Sequence, residues 1–299
     1  MHKTVLLNET LKCADIQPTD IVFEGTGGEG GLSKRIVSML GPAGTLIITE
    51  LDQSLVANLR KNLTWGVCSI YVKRANFKNI KSIVRNLGYQ AIDVIILDLG
   101  VANFHYEESG RGFSFNKNEP LLMTLGDMET NVISARDAVN TWSETNLSQI
   151  FEGLGGERHA RQIAKAIIIA RQEKQIETTV DLIRIIEKVL DGKRGAIHPA
   201  TKIFQALRIA VNDEIGALKQ VLRNGWTCLR PGGRFIVISF HEVEDREVKI
   251  WFKSLVSDKV ASLINKKPIK PTLNEIKTNR RSRSALLRAM KKNKASIYE

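Results

Sequence analysis

The chain has 299 residues, 43% of them hydrophobic, and a formal net charge of +12. This length and composition are sufficient for one large globular domain or for a domain with an insertion. No apolar run is long enough to cross a membrane and the first residues lack a signal-peptide pattern, so we expect a cytoplasmic protein without a membrane partner.

The cysteines and histidines exclude two further classes of protein. The three cysteines lie far apart and form no C-x-x-C pair, and the five histidines show no metal-ligand spacing. Neither a disulfide framework nor a metal site is therefore indicated. We expect the cysteines to be reduced and mostly buried.

Residues 21–31 begin as an apolar strand and then place five glycines within seven positions. A strand that breaks into a glycine turn and continues as a helix begins the nucleotide site of doubly wound α/β domains. The G-x-G-x-x-G pattern is satisfied by Gly25, Gly27 and Gly30. Because Glu24 and Glu29 would repel a pyrophosphate, the turn favours the cationic cofactor S-adenosylmethionine. The weaker alternatives are a dinucleotide oxidoreductase and a tight turn without a ligand.

Two further strands are predicted after this turn. The second, residues 45–50, ends in Glu50, where a carboxylate can accept hydrogen bonds from the ribose hydroxyls of an adenosine. The third, residues 69–72, is followed by Phe77, whose ring either flanks an adenine or packs in the core.

The strongest strand pattern covers residues 93–97 and is followed at its carboxyl end by Asp98. Ligands bind at this edge of an open parallel sheet. Asp98 could accept a hydrogen bond from a cofactor ammonium or a substrate amine, and a helix cap is the alternative.

The alternation of strands and helices stops after residue 102. A loop-like stretch, residues 103–132, precedes four predicted helices, at residues 135–141, 144–154, 157–174 and 180–190. The fold class is therefore α/β, with a Rossmann-like domain at residues 1–103 and 200–299 and an inserted all-helical domain at residues 104–199. Arg158, Arg161 and Lys165 are predicted to share one helix face, which is either a phosphate-binding stripe or a solvated surface.

The α/β pattern resumes with a long helix over residues 200–224, a turn at residues 229–233 and a fifth strand at residues 234–239. His241 follows that strand at its carboxyl end. From residue 257 onward twelve Lys or Arg stand against three acids, which indicates either a face for a polyanion or a solvated tail. A last strand is predicted within residues 279–288.

Several segments together resemble the bacterial small-subunit ribosomal RNA cytosine-N4 methyltransferases, the RsmH or MraW family. Residues 111–115 are its R-G-F-S-F, and residues 198–212 are nearly its H-P-A-T-R-x-F-Q-A-L-R-I-x-V-N. Further similar segments are residues 2–9, 97–101, 156–160 and 238–246. The resemblance implies a class I S-adenosylmethionine-dependent methyltransferase fold, with 16S ribosomal RNA or the small subunit as partner. It also implies methylation of the exocyclic N4 amine of a cytidine in the decoding region. A homodimer is compatible with the sequence.

The resemblance also implies site residues. We expect cofactor contacts from Glu24, Gly25, Gly27, Gly30, Gly31, Leu32, Glu50, Phe77, Asp98 and His105. Asp98 is the expected acceptor for the reacting amine, with Asn103 and His241 as partners. The expected RNA-binding residues are Arg111, Phe113, Arg158, Lys202, Arg208, Arg281 and Arg283.

The chain departs from the family pattern at several positions. Leu32 stands where the family has His, and Leu122 and Thr124 replace an Asp and an Arg. These departures motivate an alternative function: a catalytically weak or silent relative that binds ribosomal RNA as an assembly factor.

Overall fold

The computed structural model describes residues 4–126, 133–190 and 198–294. They form two compact units, one of Met1–Val101 with Ile215–Glu299 and one of Ala102–Glu214. The sequence prediction had assigned residues 200–214 to the first unit, and the structure groups them with the second. None of the helices in the described ranges is long and apolar enough to span a bilayer.

The first unit contains a seven-stranded sheet. Its strands are β1 (Ile21–Glu24), β2 (Thr45–Glu50), β3 (Ser69–Arg74), β4 (Ile92–Asp98), β5 (Leu229–Ser239), β6 (Ala261–Leu263) and β7 (Leu286–Lys292). Their order is β3-β2-β1-β4-β5-β7-β6. The first five strands run parallel, and β7 pairs antiparallel with both β5 and β6.

The helices are distributed over both units. In chain order they are α1 (Leu7–Ala14), α2 (Gly31–Val37), α3 (Gln53–Asn62), α4 (Ile80–Asn86), α5 (Asn103–Glu107), α6 (Ala135–Thr141), α7 (Glu144–Gly153), α8 (Ala160–Glu173), α9 (Thr179–Leu190), α10 (Pro199–Val211), α11 (Glu214–Cys228), α12 (Glu242–Ser257) and α13 (Leu273–Thr278).

The strands β1, β2 and β4 are buried on both faces of the sheet, as their near-continuous apolar sequences predict. Alternate residues of one strand, such as Phe23 and Val22 of β1, belong to two different apolar clusters. One cluster includes Ile36 of α2, and the other includes Ile80 of α4 and Leu218 of α11. The fold is therefore the predicted doubly wound α/β arrangement, with ligand-binding loops at the carboxyl edge of the parallel strands.

Several predicted elements are wrong in extent. The single helix predicted over residues 200–224 is two helices, because the chain turns at Asp213, which has a left-handed φ of 47°. The predicted turn at residues 229–233 belongs to β5, whose pairing with β4 is irregular between Ile92 and Val94. Residues 103–107 form α5 where the sequence predicted a loop, and neither β6 nor α13 was predicted.

The second unit is helical, and one of its helices was predicted to the residue. Helix α6 begins behind Ser134, which forms a capping box with Asp137. Helix α8 buries Ile163 and Ile167 and begins at Ala160. Arg158 therefore precedes the helix, so it does not share a helix face with Arg161 and Lys165 as predicted.

The three cysteines are free and buried, which confirms the prediction from their spacing.

Candidate cofactor site

The glycine turn after β1 is fixed between two neighbouring strands by backbone hydrogen bonds. The N–H of Gly25 donates to the carbonyl of Ile96 in β4 at 2.9 Å, and the N–H of Gly27 donates to the carbonyl of Thr49 in β2 at 3.0 Å. The Thr49 hydroxyl in turn donates to the Gly25 carbonyl at 2.8 Å. The turn therefore lies at the carboxyl edge of the sheet, as predicted.

Two of the glycines are required by close approach and by backbone conformation. A Cβ at Gly25 would lie 2.3 Å from the Leu97 side chain, so only glycine fits there without moving that side chain. Gly30 has a φ of 81°, a left-handed conformation that a side chain would strain. Gly31 then begins α2, and the side chain of Leu32 is 4% exposed within the apolar core. Leu32 can therefore offer a ligand only its backbone.

Glu24 ends β1 as a buried carboxyl. Its Oε2 accepts a 2.6 Å hydrogen bond from the hydroxyl of Ser33, and its buried Oε1 has no hydrogen-bond partner among the described residues. Burial raises the pKa of Glu24 from 4.5 to about 8; the Ser33 hydrogen bond opposes this, and the nearby Asp98 and Glu50 add to it. Sequence reasoning missed Ser33, although a serine in the first turn of the helix after the glycines was a usable signal.

Asp98 ends β4 in a similar environment. Its backbone N–H donates to the hydroxyl of Thr26 in the glycine turn at 2.8 Å, which ties β4 to the turn. Its Oδ1 is buried and, within the described part of the chain, lacks a hydrogen-bond partner. Burial, with a smaller contribution from the charge of Glu244, raises the pKa of Asp98 to about 7.

Glu50 ends β2 and points back toward the glycine turn. Its Oε2 accepts from the N–H of Gly28 at 2.8 Å, and its Oε1 accepts from the N–H groups of Leu51 and Asp52 at 2.7 and 3.1 Å. Since each carboxylate oxygen can accept about two hydrogen bonds, Oε2 retains capacity for one hydroxyl donor. This geometry is compatible with the predicted ribose contact.

Phe77 lies directly after β3, beside the glycine turn. A Cβ at Gly25 would approach the Cβ of Phe77 to 3.1 Å, and the half-buried ring packs against an apolar cluster of the sheet. Phe77 can therefore both pack in the core and contact a flat ligand ring.

Three carboxyls lie at the ends of the adjacent strands β2, β1 and β4. No Lys or Arg in the described residues of the first unit forms an ion pair with Glu24, Glu50 or Asp98. Two buried oxygens without partners and a surplus of acid fit a ligand that brings positive charge and N–H donors, and they disfavour a phosphate. S-adenosylmethionine supplies a sulfonium and an ammonium, so the residues present fit it.

His241 follows β5 and has a capping role. Its Nδ1 accepts from the backbone N–H of Glu244 at 3.3 Å, and its Nε2 lies 3.1 Å from Oε1 of the same residue. The ring therefore caps α12 through Nδ1, while the buried Nε2 forms no hydrogen bond with the described residues.

Two predicted site residues, Asn103 and His105, lie in the second unit. Asn103 is the first residue of α5, and His105 is 3% exposed, with ring contacts to Phe104 and Phe113. Phe113 is 5% exposed, so its ring is packed within this unit and its predicted contact with RNA stays a prediction. Its aromatic character serves the packing of this unit.

The predicted RNA-binding cations differ in their surroundings. Arg208 is 9% exposed and forms a bidentate ion pair with Glu214 at 2.7 and 2.9 Å, so its guanidinium is engaged within the protein and its RNA binding stays a prediction. Lys202 donates to the carbonyl of Gly156 at 2.8 Å. The guanidinium of Arg111 lies 5.8 Å from the centre of the Phe113 ring. The cations that are exposed are Arg158, Arg281 and Arg283.

The sheet order, the acidic glycine turn and the carboxyls at the strand ends together define a class I S-adenosylmethionine-dependent methyltransferase. Comparison with known proteins narrows this class. Residues 1–293 match the family model described as the MraW methylase family, and the chain belongs to that family.

Curated relatives span nearly the whole chain, and each of the following is named Ribosomal RNA small subunit methyltransferase H. The protein of Dictyoglomus thermophilum is 40% identical, covering 96% of this chain and 95% of its own. That of Ehrlichia canis is 39% identical over 98% of this chain and 100% of its own. That of Acetivibrio thermocellus is 37% identical over 97% of this chain and 98% of its own. The methyl donor of this enzyme is S-adenosylmethionine, as the sequence predicted.

Proposed function

We propose that the protein methylates the exocyclic N4 amine of a cytidine in the decoding region of 16S ribosomal RNA, in the cytoplasm. The names of its relatives support a small-subunit ribosomal RNA substrate. The observation that carries the chemistry is the buried, unpartnered Oδ1 of Asp98 at the carboxyl end of β4.

The cytosine amine is a weak nucleophile because its lone pair is delocalised into the ring. A fixed acceptor that takes a hydrogen bond from the amine orients the nitrogen and stabilises the positive charge that develops there. Asp98 is such an acceptor when ionised, and its strand end is anchored through Thr26. S-adenosylmethionine supplies the activated methyl group when bound.

Glu24 and Glu50 serve the cofactor in this proposal. Glu24 presents a buried Oε1 to its positive charge, and Glu50 accepts a ribose hydroxyl through Oε2. The second unit holds the substrate, with Asn103 as a partner of the reacting base and His105 as a cofactor contact. Arg111, Arg158, Lys202, Arg281 and Arg283 contribute to RNA binding as cations.

The test is methylation of small subunits from cells that lack this protein, with labelled S-adenosylmethionine. Mass spectrometry of nuclease digests should then find N4-methylcytidine, and the Asp98→Asn variant should form none even at saturating cofactor. A methyl group on another atom or another nucleoside would contradict the proposed specificity.

A silent assembly factor is the second candidate, and the substitution at Thr124 motivates it. Thr124 is fully buried where the family has an arginine, so the chain lacks that cation. Cofactor binding by the wild-type protein without any methyl transfer would support this candidate.

A further inference from the structure

A long stretch of the first unit contains no acidic residue. The forty residues 53–92 include seven Lys or Arg and neither Asp nor Glu. They form α3, β3 and α4, and β3 is the outermost strand on its side of the sheet. Because the cations are spread over three elements in the sequence, only the fold brings them to one edge.

The two helices pack on opposite faces of the sheet beside β3. Leu59 of α3 shares an apolar cluster with Val72 of β3, whereas Ile80 of α4 shares the other cluster with Tyr71. Positive charge therefore surrounds the strand edge from both faces. We call this surface the basic edge, and its exposed cations are Arg60, Lys61, Lys73, Arg74 and Arg85.

An open groove of about 470 Å³ runs along the basic edge. Its lining combines apolar side chains, among them Leu63 and Ile70, with the cations Arg60 and Lys73. This groove is separate from the glycine turn, and none of its lining residues belongs to the cofactor site described above. A mixed apolar and cationic lining suits a ligand that has flat rings and negative charge.

An aromatic ring is exposed next to the groove. Trp65 lies between two lining residues, Thr64 and Gly66, and is 55% exposed. Its indole N–H donates to the carbonyl of Asn62 at 3.1 Å, which fixes the ring while leaving it open to solvent. Exposed aromatic rings beside Lys and Arg are the usual platform on which proteins stack the bases of a single strand.

The charge of this surface selects among its candidate occupants. An outer strand can pair with the same strand of a second copy. That pairing would bring two sets of like charges together, which is unfavourable. A phosphate backbone instead neutralises the cations and releases bound counterions.

We propose that the basic edge and its groove bind a single-stranded segment of the substrate RNA. Phosphates contact Arg60, Lys61 and Lys73, and a base stacks on Trp65. The identity of the RNA rests on the proposed function, whereas binding of a single strand at this edge does not.

The experiment compares the RNA binding of two variants. The triple variant carries Arg60→Gln, Lys61→Gln and Lys73→Gln, and the control variant carries Lys249→Gln and Lys253→Gln. The control residues are exposed on α12, which packs on the β5, β6 and β7 end of the sheet. The probes are a decoding-region RNA fragment and a uridine oligonucleotide. The triple variant should bind both at least about tenfold more weakly, and its salt slope should fall by about two, since each phosphate contact on a single strand contributes about 0.7. The control should bind like the wild type.

Trp65→Ala tests the stacking separately. It should weaken binding of the uridine oligonucleotide about fivefold or more and remove the tryptophan quenching that this probe causes in the wild type. Affinity for S-adenosylmethionine should stay unchanged in every variant, which also reports that the variants fold.

Two results would overturn the proposal. One is unchanged RNA affinity and salt slope in the triple variant. The other is a change of oligomeric state in sedimentation with unchanged RNA affinity, which would make the edge an interface between copies. If the wild type binds RNA at this edge but forms no N4-methylcytidine, the proposed function fails and this proposal stands.

Discussion

The hydroxyl of Ser33 in the first turn of α2 donates a 2.6 Å hydrogen bond to Oε2 of Glu24 at the end of β1. Both residues are buried, at 0% and 1% exposure. This bond fixes the carboxyl so that its other oxygen, Oε1, is left without a partner among the described residues. Ser33 thereby acts on the cofactor site through Glu24.

Replacement of Ser33 by Ala should weaken S-adenosylmethionine binding about three- to tenfold. The reason is that an intramolecular hydrogen bond contributes roughly 1 kcal/mol and that the freed carboxyl loses its fixed orientation. Isothermal titration calorimetry measures the change. Ser38→Ala is the matched control, because that exposed hydroxyl, in the residue after α2, donates only to the carbonyl of Arg35. Equal affinities of both variants would remove Ser33 from the site.

The raised pKa of Glu24 predicts a pH dependence of stability. An ordinary carboxyl titrates near 4.5, and that of Glu24 in the folded protein titrates at about 8. Between these values the folded state holds a proton that the unfolded state releases, so the free energy of unfolding should fall as pH rises. Glu24→Gln should reduce this fall. Urea denaturation at several pH values between 5 and 8, without cofactor, compares the two proteins, and parallel curves would contradict the assignment.

Asp98→Asn should lower the rate of methyl transfer about a hundredfold or more and leave the fold intact, since the amide cannot supply the negative charge of the acceptor. Asp93→Asn, at the other end of β4, is the contrasting variant. Asp93 accepts from the N–H of Ile21 at 2.7 Å and pairs with Arg230, so its loss should reduce stability while the rate at saturating substrate stays near wild type. Single-turnover assays and denaturation curves measure the two effects. Wild-type turnover by Asp98→Asn would exclude Asp98 from the reaction.

Arg208→Met should destabilise the second unit by about 3–5 kcal/mol, because it leaves the carboxylate of Glu214 buried without its partner. Both side chains are only 11% exposed. Lys202→Met, whose side chain is 38% exposed, should cost less than about 1 kcal/mol. Thermal and denaturant unfolding measure the difference. A loss of RNA affinity in folded Arg208→Met would instead support the prediction that Arg208 binds RNA.

Neutralising Arg281 and Arg283 together should weaken RNA binding and flatten its salt dependence by about one to two units of slope. Both residues are exposed, in the short 3₁₀ segment that precedes β7. Filter binding of a decoding-region fragment at several salt concentrations is the measurement. Replacement of Lys291, an exposed lysine of β7, is a single-charge control. An unchanged slope in the double variant would make this segment a solvated surface only.

The sequence by itself determined the family, the doubly wound sheet and the location of the candidate cofactor site. These depend on local patterns: the glycine turn needs specific residues at fixed spacing, and apolar strands ending in Glu24, Glu50 and Asp98 place their carboxyls at one edge in any parallel sheet. Helix α6 was likewise predicted to the residue, because its start is encoded by the Ser134 cap.

The tertiary structure alone decided which polar residues face a ligand and which are used in packing. Arg208 and Phe113 look like RNA-binding residues in the sequence, but in the fold both contact Tyr106, which lies about a hundred residues before Arg208, and Arg208 also pairs with Glu214. The same reason explains the basic edge, whose cations belong to three separate elements. Burial and charge depend on neighbours that only the folded chain brings together.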